Sequence, residues 1–143
     1  MADMQDIITV ATRGPGLFDI TGSARSLVKR AGIAEGLLTL FVQHTSCSIV
    51  IQENADPDVR RDLQEFFDRL APHIGKPGTE WIRHRTEGPD DMPAHLKAAL
   101  LPTSLSIPVV KGELALGTWQ GVYLFEHRRR PHRRTLILHV IGD

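Results

Sequence analysis

Four apolar, β-branched runs crowd into the last forty residues, and they constrain the fold more than any other feature. They are SLSIPVV, ELAL, GVYLFE and RTLILHVIG, with a Lys111-Gly112 turn between the first two. Runs of this length and composition, split by turn residues, read as strands. Upstream, residues 7–11 read as a strand, Arg13-Gly14-Pro15-Gly16 as a turn and 17–20 as a short second strand. Thr21 can cap a helix that runs through Leu27 and Val28 to about Ala31 and ends at Gly32. Gly36 opens the strand LLTLFVQ, His44-Thr45-Ser46 interrupts it, and CSIVIQE resumes. Asp56 and Pro57 suit the N-cap and first turn of a helix reaching about Leu70, with Val59, Leu63, Phe66, Phe67 and Leu70 on one face and Pro72 as its stop. A last helix is expected over 93–100, ended by Leu101-Pro102. This order predicts an α+β fold with mostly antiparallel sheet. Runs such as LILHVI suggest strands covered on both faces, and a subunit with so few elements would bury the second face in an oligomer.

At 143 residues the chain fits one domain that can bury a core without staples. Its 17 basic and 17 acidic residues cancel, so no global field draws it to nucleic acid or a membrane surface. The one charge run, EHRRRPHRR, is either a solvated hairpin tip or a place where one or two arginines turn inward to hold a phosphate. A single cysteine, Cys47, excludes an intramolecular disulfide and fits a reducing cytoplasm. No apolar run approaches the ~20 residues of a membrane span. The first residues lack the basic-then-apolar pattern of a secretory signal. A cytoplasmic protein is expected.

The chemistry concentrates in HRTEGPDDMPAH, from His84 to His95. Two imidazoles and three carboxylates (Glu87, Asp90, Asp91) share twelve residues that prolines and a glycine keep largely out of helix. Asp90 and Asp91 repel each other, and a divalent cation or cationic ligand would relieve that. Loops are also where binding and catalytic groups tend to sit. His44 lies between two apolar strands, positioned to be held rigidly or simply to satisfy a turn. Three histidines from separate segments, His44, His84 and His95, would suit Zn²⁺ with a fourth position open, although no standard zinc spacing is present. Three imidazoles equally suit Ni, Cu or Fe. His95 is expected in the first turn of its helix, where the dipole favours the neutral ligand form. Glu53 at a strand end could act as general base or orient a ring N–H, whereas Asp56 reads as an N-cap. GTWQG, residues 117–121, is either a tight corner or a ligand wall with Trp119 stacking and Gln120 hydrogen-bonding. Glu126 ends the next strand as an inward carboxylate. Cys47 reads as a small packing residue. Nothing matches GxSxG, a P-loop or GxGxxG, so a nucleotide cofactor has no support.

The segments QHTSCSIVIQENADPDVRRDL, RHRTEGPDDMPAHLKAAL and SIPVVKGELALGTWQGVYLFEHRRRPHRR together resemble the YjbQ-like family, also labelled secondary thiamine-phosphate synthase. The resemblance spans nearly the whole chain and rests on the ordered set HTS, NxDPDV, DDxPAH and GTWQ. It implies an α+β fold of two packed sheets with two to three helices, forming a homotrimer, and a polar pocket near a subunit boundary. It implies His44, His84 and His95 as metal ligands, with Glu53, Asp56, Asp91, Gln120, Glu126 and Arg134 lining the site. Cys47, where a small residue is expected, and the arginine-rich hairpin depart from the pattern.

Two readings follow. In one, the protein is a metal-dependent enzyme on a small, phosphorylated substrate. Glu53 or Asp91 acts as acid–base, Arg134 neutralises phosphate, and thiamine-phosphate synthesis is a candidate reaction. In the other, the same pocket is a non-catalytic binding module for a small anionic or heterocyclic ligand, with Trp119 as platform.

Overall fold

A computed structural model describes residues 1–143 as eight strands and three helices. In chain order they are β1 (Ala2–Thr12), β2 (Gly16–Asp19), α1 (Thr21–Ala31), β3 (Gly36–Val42), β4 (Cys47–Glu53), α2 (Pro57–Leu70), α3 (Asp91–Leu100), β5 (Ser104–Val110), β6 (Glu113–Leu114), β7 (Gln120–Glu126) and β8 (His132–Gly142). Every strand pair is antiparallel. One sheet has the order β1-β8-β3-β5-β6 and the other β2-β7-β4. The expected α+β class with two sheets is what the chain adopts.

Local chemistry accounts for several boundaries. Asp56 caps α2 by accepting from the Asp58 amide at 2.9 Å, and Pro57 follows at the first helical position. Gly32 closes α1 in the left-handed conformation (φ 66°). Lys111 and Gly112 both have positive φ, 52° and 81°, which gives the two-residue hairpin between β5 and β6 the twist its strands need. Thr21 does not cap α1. Its hydroxyl accepts from the Val122 amide at 2.9 Å and ties the helix start to β7.

The main core lies between the sheets. Leu38 and Leu40 of β3, Leu136, Leu138 and Val140 of β8, Ile49 of β4 and Leu124 of β7 all bury there, with Leu27 and Val28 of α1. The other face of the three-stranded sheet carries Val50, Tyr123 and Phe125, against which Phe67 and Leu101 pack. β7 is therefore covered twice, and six of its seven residues are buried in succession. Within one subunit the run LILHVI is covered on one face only. It alternates, and its second face lies on the surface beside the exposed Ile7, Leu37, Phe41 and Ile141. The apolar face expected for α2 is also narrower than its sequence suggests. Phe66 and Leu70 are exposed, and the inward stripe is Val59, Leu63 and Phe67 beside the half-buried Gln64 and Asp68. Polar groups occupy that stripe because Asp68 pairs with Lys97 of α3 at 2.7 Å.

Candidate functional site

Twenty residues, 71–90, connect α2 to α3 with no helix or named strand. A loop this long inside a compact domain calls for a reason. It is well tied. Ile74 donates its amide to Pro89 O at 2.9 Å, and the Arg85 guanidinium folds back onto the carbonyls of Ile82 (2.7 Å) and Thr79 (3.0 Å). The loop delivers His84, Asp90 and Asp91 to the start of α3.

Arg128, just past β7, fastens that delivery from the other side. Its Nε donates to Asp90 Oδ2 at 3.0 Å, its Nη1 to Asp91 Oδ1 at 2.5 Å and its Nη2 to Glu87 O at 3.1 Å. The cation that relieves the Asp90–Asp91 repulsion is thus supplied by the chain itself. The acidic pair alone requires no external ion.

The histidines supply a different argument. Asp91 and His95 are four residues apart on α3 and so share one face. Asp91 Oδ2, the oxygen that Arg128 leaves free, lies 2.8 Å from His84 Nε2 and 3.1 Å from His95 Nε2. The three donor atoms all fall within 4.8 Å of one another. His95 Nδ1 sits 2.8 Å from Thr45 O. A carbonyl only accepts, so Nδ1 carries a proton; were the ring neutral, its Nε2 would turn a bare lone pair toward a carboxylate oxygen. Two acceptors face each other unless a proton or a metal cation lies between them. Burial by itself would push the Asp91 carboxyl up, but the His84 hydrogen bond and the charges of His95 and Arg128 outweigh it and hold it below the ordinary carboxylate range. Asp91 is 3% exposed while the His84 and His95 side chains are 40% and 32% exposed, so a ligand arriving from solvent meets the imidazoles first.

The other sequence-level candidates are placed elsewhere. His44 is not in this group. Its Nε2 accepts the Thr135 amide of β8 at 2.8 Å, and burial together with the positive charge of Arg134 lowers its pKa. Its neighbour Thr45 is what reaches His95. Because α3 begins at Asp91 and not at Pro93, His95 sits in the second turn, beyond the dipole effect expected for it. Glu53 Oε2 accepts the amides of Ala55 (3.0 Å) and Asp56 (2.9 Å) and so folds the turn into α2. Gln120 closes the GTWQ turn by accepting from the Gly117 amide at 2.7 Å, and Trp119 stands 64% exposed. Glu126 and Arg134 bind each other. Arg134 Nε meets Glu126 Oε1 at 2.8 Å and its Nη2 reaches Ser46 Oγ at 2.9 Å, in full burial. Arg134 is 3% exposed, and its Nε and Nη2 are both engaged within the fold. Burial pushes the Cys47 thiol up to about 12, as befits a packed, inert side chain.

Three polar residues give little sign of their roles in the sequence. Arg128 is hidden in a run of like residues. Lys97 is almost wholly buried in the apolar context LKAAL, which is the signal that could have marked it. His127 is buried with Nε2 3.0 Å from Ser48 Oγ and with Nδ1 lacking any partner. That Ser–His contact has no path to solvent, so it offers no nucleophile to a substrate.

Comparison with known proteins places the whole arrangement. A family model described as UPF0047 protein YjbQ-like matches residues 6–143. The chain is 52% identical over 139 residues to UPF0047 protein sll1880 of Synechocystis, covering 97% of this chain and 92% of that protein. It is 39% identical over 140 residues to UPF0047 protein YjbQ of Escherichia coli, covering 97% and 98%. A YbjQ-like protein from Sulfolobus solfataricus superposes with a TM-score of 0.86 at 27% identity, covering 99% of this chain and 98% of that one. A YjbQ/UPF0047 family protein from Clostridium acetobutylicum does so at 0.84 and 34%, covering 95% and 99%. With sequence and fold both matched from end to end, the chain belongs to the YjbQ-like UPF0047 family.

Proposed function

We propose that His84, Asp91 and His95 bind a divalent metal ion and that the protein is a metal-dependent enzyme acting on a small polar molecule. The observation that supports this is the convergence of one donor atom from each of the three residues, all within 4.8 Å of one another. With Nδ1 committed to Thr45 O, Nε2 is the ring atom left to meet a proton or a metal ion on its Asp91 side. Ligand atoms around a tetrahedral Zn²⁺ at 2.0–2.1 Å lie about 3.3 Å apart. The observed 2.8 and 3.1 Å contacts need to open by only a few tenths of an ångström to admit it. Two imidazoles and one carboxylate leave coordination positions free, and the set suits Zn²⁺ or Fe²⁺.

A metal bound there would supply Lewis acidity toward a phosphoryl or carbonyl oxygen, or a water acidified to near neutral pH. The chain's own contribution is orientation. Arg128 occupies Asp91 Oδ1 and directs Oδ2 at the imidazoles, and Thr45 fixes the His95 ring. Thiamine-phosphate formation is one reaction such a site would serve, and it is the first to assay.

Zinc titration followed by calorimetry tests the reading. Wild type is expected to take up one equivalent. Asp91→Asn and His95→Ala are each expected to weaken binding by at least about 100-fold, since the first removes the anionic charge of its ligand and the second removes a ligand outright. Undiminished binding in Asp91→Asn would sink the assignment. We also infer that the exposed face of Ile7, Leu37, Phe41 and Ile141 is covered by further copies in a homotrimer. Light scattering is expected to return three chain masses, and a monomer at micromolar concentration overturns this.

A further inference from the structure

Beside the candidate metal site, on the other side of Arg128, the loop 71–90 and the start of the β7–β8 hairpin enclose a second cleft. Its volume is about 610 Å³, within the range of small-molecule pockets, and no hydrophobic residue lines it. Thr86, Glu87, Asp90, Arg128, Arg129 and Arg130 form most of its wall. Two of these charges are already spent. Arg128 is taken by Asp90, Asp91 and Glu87 O, and Asp90 by Arg128 and by the Arg129 amide at 2.9 Å. What remains is the Glu87 carboxylate and the guanidinium groups of Arg129 and Arg130. Neither guanidinium makes a hydrogen bond or ion pair anywhere in the chain.

The backbone that carries them is fixed. The Arg129 amide is held by Asp90, Arg130 O accepts from His132 Nδ1 at 2.7 Å, and the facing wall is pinned where Ile74 binds Pro89 O. A merely solvated hairpin tip would need no such anchoring on both sides. Guanidinium forks match the planar oxygens of phosphate and carboxylate. Apart from Pro89 the wall carries only polar and charged side chains, so the cleft suits a compact anionic group. A chain with zero formal charge has no global field to draw in a polynucleotide.

We infer that Arg129 and Arg130 form an anion subsite for a phosphate-bearing small molecule whose remainder extends past Arg128 toward Asp91 and His84. As part of a substrate site this rests on the proposed metal reading. As an anion cleft it is separable from that reading, because Arg129 and Arg130 touch none of the three ligands.

The experiment is a titration of metal-free protein with inorganic phosphate at low ionic strength, read by calorimetry, with zinc titrated separately. Wild type is expected to bind phosphate, and the double variant Arg129→Gln/Arg130→Gln at least tenfold more weakly with unchanged zinc affinity. Glu87→Gln, which removes the opposing charge, is expected to tighten phosphate binding. No phosphate binding in wild type, or equal binding in the double variant, overturns the subsite and leaves the metal reading intact. Arginine-dependent phosphate binding without zinc binding does the reverse. Glycerol phosphate is expected to compete for the site. Displacement of phosphate by an oligonucleotide but not by glycerol phosphate would overturn the small-molecule assignment.

Discussion

Replacing Glu126 with Gln is expected to cost about 3–5 kcal/mol of folding stability. Glu126 is fully buried and Arg134 is 3% exposed. The carboxylate accepts from Arg134 Nε and Nη2, from Thr12 Oγ1 at 2.6 Å, and from the amides of His127 and Arg128. Burial alone would raise its pKa, yet the Arg134 and Thr12 hydrogen bonds hold it low, so it is charged in the folded protein. An amide in its place keeps the shape but leaves the Arg134 guanidinium buried without a counter-charge. The cost comes from that stranded charge and not from the net worth of the pair, which against an apolar core is near zero. The double change Glu126→Leu/Arg134→Met is therefore expected to recover much of the loss, less what the freed amides of residues 127 and 128 forfeit. Urea denaturation of the single and double variants measures both. A single-variant loss under about 1 kcal/mol, with no coupling between the two positions, contradicts the geometry.

The same pair shows what a sequence does and does not disclose. Signals carried by adjacent residues were legible. Asp56-Pro57 marked the start of α2, Lys111-Gly112 marked a hairpin, and the acidic loop marked the segment in which His84, Asp91 and His95 come together. In each case the deciding interaction lies within a few residues. Arg134 could not be read this way. Its partners are Glu126, eight residues back across a hairpin, and Ser46, eighty-eight residues away. Five arginines in one run look equivalent until the fold buries one, clamps Arg128 to the loop and leaves Arg129 and Arg130 outside. His44 stands apart from the other two histidines for a related reason. Its strand-end position is where a ligand would sit, but the ring turns to the Thr135 amide of a strand ninety residues on. The narrow stripe of α2 follows from Lys97, whose need for Asp68 rotates a charged helix face inward. Periodicity registers apolar residues and is blind to a buried ion pair.

Lowering the pH from 7 to 5 is expected to remove about 2 kcal/mol of stability, mostly through His127. The ring is 1% exposed, packs 4.6 Å from the Phe125 ring and has its Nδ1 unpartnered. Burial, helped by the charges of Lys97 and Arg134 and opposed by Glu126 and Asp68, lowers its pKa to about 3. The unfolded chain binds that proton near pH 6.5 and the folded chain refuses it until about pH 3. Stability from this group is therefore complete above about 6.5 and falls as the pH drops toward 3, at roughly 1.4 kcal/mol per pH unit. His44 and His73, also lowered mainly by burial, act in the same direction. The depressed carboxylates Asp68, Asp90, Asp91 and Glu126 also lose stability as pH falls, but only from the ordinary carboxylate range near 4 downward. The interval from 7 to 5 therefore isolates the histidines. His127→Gln places an amide where Nε2 meets Ser48 and cannot titrate. Whatever it costs at pH 7, its loss between pH 7 and 5 is expected to shrink to below about 1 kcal/mol. Urea midpoints at the two pH values decide the matter, and an equal loss in wild type and variant would assign the acid sensitivity to some group other than His127.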